Sequence, residues 1–402
     1  MNPIANTDRR SDIDWLRVLA FSLLILYHAG MPYVDWDWHI KNTEHWPALQ
    51  EVMRFVNRWR MSLIFLIAGG TIMLSLGRRS GPAFVCDRIK RILLPLVFGM
   101  LVIVPPQVYL ERVQKGRFAG SFFDFYPHFF EGTYPAGNFS WHHLWFLAYV
   151  LVLTLALLPL FLWMRSEKGA AALDGCSAFV ARHYLVALLA VPLFAVEFWL
   201  VSASSNRNGL VGDWSGLASN GVLMLAGALL YRSPLLLQSR ERQRFVALAV
   251  GIVAYAALEV GFFSGPAIKP QTSVAWLGFC ALSAINLTAW LIAITGFARR
   301  LAPPTAFLRY ATPAVYPFYI LHQTVAVIYA FYLVQTDWAV PIKYAATALL
   351  TFAGTWFMYE FAVRRLAILR PLFGMSPRSS GQRQPNIAAM PAWHTRLRDD
   401  VA

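Results

Sequence analysis

An arginine and a histidine in the first apolar segment are the side chains of this sequence best suited to chemistry. The segment Asp12 to His28 carries Arg17 and His28. On a helix, residues eleven positions apart return to within about 20° of one face and lie about 16 Å apart along the axis. Ionisable groups within a membrane span are costly and mark functional sites. His28 is therefore a candidate general base, and Asp14, three residues before Arg17, is predicted to pair with it.

Structural roles for the same two residues stay open. Arg17 could extend its guanidinium to the lipid headgroups, and His28 could make a hydrogen bond between helices. Their common helix face favours a functional role over these alternatives.

Three further histidines and a tryptophan extend the candidate site. His142, His143 and Trp145 lie at the start of the fourth apolar segment, and His322 lies within the ninth. We expect them to position a substrate or to orient His28. Interfacial anchoring is the alternative for the first three, and a structural hydrogen bond is the alternative for His322.

The elements that must position these residues are membrane helices. The 402 residues are 57% hydrophobic and 14% charged, and the mean hydropathy is +0.48. This apolar content is too high for a soluble domain, so the bilayer is an expected partner. We predict an all-α, polytopic helical bundle with about ten spans of membrane-crossing length: 13–34, 55–76, 92–110, 142–164, 184–202, 215–231, 245–263, 273–297, 313–334 and 340–362.

The distribution of charge predicts the topology and excludes other classes. Most of the 35 Lys and Arg fall in one alternate set of loops and tails, which places both termini in the cytoplasm by the positive-inside rule. The net charge of +14 therefore reflects topology and not nucleic-acid binding. The three scattered cysteines predict no metal site. We expect a transmembrane domain at 1–370 and a polar, disordered cytoplasmic tail at 371–402.

The motifs resemble those of the acyltransferase-3 family of membrane O-acyltransferases. The family's first helix carries an arginine or lysine, ten residues and then a histidine, matched by Arg17 and His28. Four further segments are similar to the family: Met61–Gly70, Asp87–Pro95, His142–Leu147 and Tyr316–Gln323. The last two look closest to the family's branch of periplasmic glucan succinyltransferases.

This resemblance implies transfer of an acyl group, succinyl or acetyl, from cytoplasmic acyl-CoA to a glycan hydroxyl at the cell inner membrane. Acyl-CoA would be a co-substrate, and no permanently bound cofactor is expected. Arg88 and Arg91 are expected to bind the CoA phosphates, because arginine can grip phosphate through two parallel hydrogen bonds. Topology signalling is the alternative for both. Outer-loop tryptophans could stack on sugar rings or form an aromatic belt: Trp36, Trp38 and Trp46.

Two other functions fit the same residues. In a transporter or flippase, Arg17 and His28 would line a path for an anionic solute or a lipid-linked sugar. A polytopic scaffold would use neither residue. Three acidic residues near the span ends receive no role from the sequence: Glu197, Glu259 and Glu360.

Overall fold

The structure is a computed structural model that describes residues 11–76, 81–183, 185–263, 273–301 and 305–376. The predicted disordered tail lies, from residue 377 onward, outside the described residues. Within these ranges the chain is helical, and its one β-type pairing is the isolated bridge between Thr133 and Phe139. The predicted all-α helical bundle is thus confirmed.

Seventeen α-helices occur in the described part of the chain. They are α1 (Ser11–Gly30), α2 (Pro47–Asn57), α3 (Arg60–Leu76), α4 (Gly81–Arg88), α5 (Leu94–Phe98), α6 (Pro105–Gln114), α7 (Phe122–Phe125), α8 (Trp145–Ala156), α9 (Leu158–Arg165), α10 (Glu167–Arg182), α11 (Ala190–Leu200), α12 (Trp214–Arg232), α13 (Pro234–Leu258), α14 (Val274–Ala298), α15 (Ala306–Leu333), α16 (Val340–Met358) and α17 (Leu369–Leu372).

Seven helices of the described ranges are long and apolar enough to cross a membrane, and up to nine if each of two bent pairs forms one span. Every predicted span coincides with helix. One bent pair lies at the fourth predicted span and turns by 53° between α8 and α9. The other includes the fifth predicted span and turns by 117° within Glu167–Leu200. The tenth predicted span coincides with α16, which is not among the seven to nine. Multi-pass character agrees with the prediction, while the count of ten and the sidedness of the termini stay predictions.

The third membrane-crossing segment, Gly81–Gln114, is one continuous rod built from α4, α5 and α6. Wider π-helical turns at Ile89–Leu93 and Gly99–Ile103 interrupt its regular winding. Pro95 and Pro105 stand in the first turns of α5 and α6, where a missing backbone N–H is tolerated. The rod therefore carries basic residues at one end and polar residues at the other.

Glycine permits close contact between α3 and α12. A Cβ atom on Gly69 would lie 1.8 Å from the Met224 backbone oxygen, and one on Gly227 would lie 1.8 Å from that of Leu66. Only glycine fits such contacts, as in other tightly packed membrane helices. The register of α3 against the bundle is thereby fixed.

The apolar surface is distributed as a membrane protein requires. The interior of the bundle is filled by buried side chains such as Leu24, Phe65 and Leu147. Large apolar residues on the outer helices are instead exposed, including Val253 at 68% and Leu349 at 70%. Lipid is the solvent that such a surface needs.

Candidate active site

A hydrogen-bonded pair of histidines joins α1 to α15. The Nδ1 atom of His28 lies 2.8 Å from Nε2 of His322. The two rings are stacked, with centroids 5.0 Å apart and planes inclined by 14°. His322 is fully buried, whereas His28 is half-buried. His28 is thus the more exposed member of the pair.

The hydrogen-bond partners of His322 determine which ring nitrogens of His322 and His28 carry a proton. Its Nδ1 faces the carbonyl oxygens of Tyr319, at 2.7 Å, and Phe318, at 3.2 Å. Carbonyls only accept, so this nitrogen donates and, in the neutral ring, Nε2 of His322 accepts. His28 must then donate from Nδ1. This leaves Nε2 of His28 with its lone pair, which is the form of a general base.

His143 adds a third ring beside this pair. Its centroid lies 5.4 Å from that of His322, with the planes almost perpendicular at 88°. Its Nε2 donates to the Ile320 carbonyl at 3.0 Å, and its own carbonyl accepts a hydrogen bond from the Tyr319 hydroxyl. These bonds fasten the start of α8 to α15 and hold His322 in place.

A buried polar network that the sequence analysis missed lies beyond the histidines. The Glu111 carboxylate lies 2.6 Å from Nδ1 of His39, and Nε2 of His39 lies 3.2 Å from the Gln323 amide nitrogen. Gln323 also donates to Gln107 at 3.0 Å, and Gln107 donates to Thr324 at 2.6 Å. The network joins the loop after α1 to α6 and α15.

His142 faces this network and not the His28 pair. Its ring centroid lies 4.4 Å from that of His39 and 4.8 Å from that of Tyr134. A φ of 42° gives His142 a left-handed backbone, which turns adjacent histidines to different neighbours. Tyr134 lies 3.4 Å from Glu111, and burial, followed by the Glu111 charge, raises the pKa of Tyr134. The phenol therefore stays protonated and donates to the carboxylate.

Lys41 clamps the loop that carries His39. Its ammonium donates to the carbonyls of Met31, at 3.1 Å, Trp36, at 2.9 Å, and Val34. Burial lowers the pKa of Lys41, against the opposing effect of nearby carboxylates. Three carbonyl acceptors can nonetheless satisfy all three ammonium protons.

The four tryptophans that the sequence analysis selected have different surroundings. Trp145 packs in the apolar core, with its ring centroid 6.1 Å from Phe65 and 5.1 Å from Tyr149. The half-buried ring of Trp36 lies 6.0 Å from that of Tyr27, beside His28. Trp38 contacts His39 at 5.3 Å, and Trp46 contacts Tyr344 at 6.0 Å. Of these rings, that of Trp38 contacts a histidine, whereas the predicted Trp145 packs against Phe65 and Tyr149.

A cavity of about 320 Å³ brings together the arginines that the sequence selected from two separate segments. Arg17, Arg88 and Arg91 line it, together with Phe21 and apolar residues of α3. Phe21 is seven residues before His28, about 10 Å along the helix axis. The cavity thus runs from a basic end towards the histidine pair.

Acidic residues hold the three arginines in position. Arg17 lies 3.5 Å from Asp14, the predicted partner, and also donates to the Thr71 hydroxyl. Asp87 accepts from Nε of Arg91 at 2.8 Å and lies 3.6 Å from Arg88. The basic end remains partly exposed, with 43% of the Arg91 side chain accessible.

The three unassigned glutamates form pairs outside this cavity. Glu197 accepts from Ser283 at 3.2 Å, and Ser283 in turn accepts from Arg58. Glu259 lies 3.1 Å from Arg54, and Glu360 lies 2.7 Å from Arg364. These contacts link helices or neighbouring turns, which is a structural role. Among the described residues, no three His, Cys, Asp or Glu side chains are grouped to hold a metal ion.

The fold and this site define an integral membrane protein with a histidine pair beyond one end of a basic cavity. The family model for the acyltransferase domain, Acyl_transf_3, matches residues 10–360. The chain belongs to this acyltransferase family, which confirms the family and enzyme class that the sequence predicted.

Two curated relatives carry the name glucans biosynthesis protein C. The proteins from Shigella dysenteriae serotype 1 (strain Sd197) and Escherichia coli (strain K12) are each 24% identical to this chain over 174 residues. The similarity covers 42% of this chain and 42% of each relative, which is less than half of either length. No solved structure matches the chain.

Proposed function

We propose that this protein is a multi-pass membrane O-acyltransferase that transfers an acyl group from cytoplasmic acyl-CoA to a hydroxyl group of a glycan. The observation that carries the proposal is the cavity with three arginines at one end and the histidine pair beyond the other. The names of the glucan biosynthesis relatives support a glucan-like acceptor. An inner-membrane location, with the arginine end towards the cytoplasm, completes the proposal.

The charge distribution of acyl-CoA matches that of the cavity. CoA is anionic at its phosphates and uncharged at its thioester, so Arg88 and Arg91 would bind the phosphates through charge-assisted hydrogen bonds. Arg17 would contact the donor deeper in the cavity, where it is held by Asp14 and Thr71. The apolar lining of Phe21 and α3 would accommodate the uncharged arm that carries the thioester.

The acceptor would approach His28 from the opposite end. Its hydroxyl oxygen attacks the thioester carbonyl carbon while Nε2 of His28 takes the hydroxyl proton. The tetrahedral intermediate then expels the CoA thiolate, and His28 returns the proton to the thiolate sulfur. The new ester and free CoA thiol balance the substrates, and His322 supports the temporary imidazolium by accepting from Nδ1.

Aromatic side chains beyond the histidine pair would orient the sugar. His142, Trp36 and Trp38 lie beside His39 or Tyr27, and aromatic faces of this kind stack on sugar rings. Trp145 does not share this role, because its ring packs against Phe65 and Tyr149 in the apolar core.

Release of CoA thiol by the purified protein in detergent tests the proposal. With acetyl-CoA or succinyl-CoA as donor and β-linked gluco-oligosaccharides as acceptor, we expect acceptor-dependent thiol release. His28→Ala should abolish it, whereas His183→Ala, at an exposed histidine, should not. Solute transport in proteoliposomes without thiol release would instead support the transporter hypothesis. A wild type with neither activity, in which His28→Ala changes nothing, would support a scaffold.

A further inference from the structure

A buried arginine outside the basic cavity lies at the level of the histidine pair. Arg60 begins α3 and is 8% exposed. Its Nη2 atom donates to Asn57 at 3.2 Å. Among the described residues, no atom accepts a hydrogen bond from its Nε or Nη1. A buried guanidinium with unused donors is costly unless a ligand completes its hydrogen bonds.

Two contacts show where Arg60 stands along the bundle. Arg17 contacts Thr71, and Tyr27 contacts Arg60, so α1 and α3 run antiparallel. The second contact is ten residues further along α1 and eleven residues back along α3. Both steps correspond to about 15–16 Å of helix. Arg60 is therefore level with Tyr27 and with the adjacent His28.

The distance between Arg60 and His28 is bounded through Tyr27. The Arg60 guanidinium carbon lies 3.3 Å above the Tyr27 ring centroid, and that centroid lies 5.8 Å from the centroid of His28. Because the two distances meet at the Tyr27 centroid, the guanidinium carbon lies within about 9 Å of the His28 ring. A hydroxyl and a carbonyl group of the substrates could contact both side chains across a separation of this size, with one hydrogen bond at each side.

Arg60 also continues the face of α3 that lines the basic cavity. The lining residues Ile64, Ile67, Ala68 and Thr71 follow it by four, seven, eight and eleven positions. These intervals place all five residues on one helix face. A donor extending from the arginine end towards His28 would thus meet the Arg60 side of α3 at its reactive end.

We infer that Arg60 is a catalytic residue that donates hydrogen bonds to the thioester carbonyl oxygen as negative charge develops there. The inference rests on the proposed acyltransferase function. When the acceptor oxygen bonds to the carbonyl carbon, the carbonyl π-electron pair moves to the oxygen. Arg60 stabilises this oxyanion, and the pair re-forms the carbonyl as the C–S bond breaks. Donors fixed before the reaction stabilise a transition state strongly, because they need no reorganisation.

The test compares Arg60→Met with wild type in full-length protein, using acetyl-CoA and succinyl-CoA with β-linked gluco-oligosaccharides. We expect kcat to fall about 100- to 1,000-fold with both donors, while KM for each donor changes less than threefold. Arg54→Met is the matched control, because Arg54 lies in the last turn of the preceding helix α2 and pairs with Glu51 and Glu259. It should keep kcat within threefold of wild type.

The two donors separate oxyanion stabilisation from recognition of a distal carboxylate. A loss confined to succinyl-CoA would overturn the inference and assign Arg60 to the succinyl carboxylate. A wild-type kcat in Arg60→Met would overturn it as well. Absence of thiol release by the wild type would overturn the proposed function and this inference with it. These outcomes are therefore distinguishable.

If Arg60→Met does not purify as a single species, Arg60→Lys is tested in its place. Lysine keeps the charge but not the planar set of donors, so kcat should fall about tenfold with both donors. A wild-type kcat, or a defect with succinyl-CoA alone, would contradict the inference. Added ethylguanidine should raise kcat of Arg60→Ala, a rescue that a purely structural arginine would not show.

Discussion

Nδ1 of His28 donates a hydrogen bond to Nε2 of His322 across 2.8 Å, although the two residues are 294 positions apart in the chain. Because backbone carbonyls fix the proton of His322, this contact leaves the outer nitrogen of His28 free to accept. The tautomer of the proposed base is therefore set by a residue on another helix. From this relationship we propose that His322 positions His28, which predicts a measurable effect of its replacement.

Replacement of His322 should separate orientation from binding. His322→Phe keeps a ring but removes the acceptor for His28, so kcat for acyl transfer should fall about 100-fold with little change in the acyl-CoA KM. His322→Gln can accept through its amide oxygen and should retain more activity. Steady-state kinetics and the pH profile of kcat check the difference. Equal activities for the phenylalanine variant and wild type would contradict this role.

The basic end of the cavity should control donor affinity. Arg88→Gln or Arg91→Gln removes a charge-assisted contact to phosphate, so KM for acyl-CoA should rise about 10- to 100-fold while kcat is retained. Added salt should weaken wild-type donor binding further, because the exposed charges are screened. Titration of binding by calorimetry gives the affinity directly. Arg182→Gln, at an exposed arginine of α10, is the control. A selective loss of kcat would count against phosphate binding.

The Glu111 network should link stability to acceptor binding. Glu111→Gln removes the carboxylate that lies against His39, Lys115 and Arg112. The two cationic side chains, Lys115 and Arg112, then lack the negative charge between them. Breaking a buried ion pair costs about 3–5 kcal/mol, so the thermal midpoint in detergent should fall. The KM for the oligosaccharide should rise more than the KM for acyl-CoA, because the network lies beyond the histidines. An unchanged thermal midpoint would show that Glu111 does not hold this end of the bundle.

The close contact between α3 and α12 should not tolerate a methyl group. Gly69→Ala would place its Cβ against the Met224 backbone and should destabilise the protein by at least about 1–3 kcal/mol. Gly175→Ala is the matched control, since a Cβ there meets nothing within 4 Å. A thermal-shift measurement in detergent compares the two. Equal midpoints would show that α3 and α12 are farther apart than their glycines imply.

Local sequence was sufficient for the membrane fold and for the first helix. Apolar runs of spanning length predicted helix at each of the ten positions, because the bilayer forces backbone groups to bond within the segment. The spacing of Arg17 and His28 likewise predicted a common face, since helical geometry is the same in any protein. The bends between α8 and α9 and before α11 were not predicted, because a hydropathy window does not register a change of direction.

The tertiary structure decided which distant residues form the site. Nothing in the apolar run around His322 shows that its ring meets His28, or that His143 and His142 have different neighbours. His39 and Glu111 are 72 positions apart, and Arg60 resembles an ordinary charged boundary of an apolar segment. Their roles depend on how α1, α3, α6 and α15 pack together. The sequence alone determined the helices and the common face of Arg17 and His28 on α1, because helix periodicity acts over a few turns. Packing across the bundle determined their partners, because hydrogen bonds between helices join any positions that packing brings within about 3 Å.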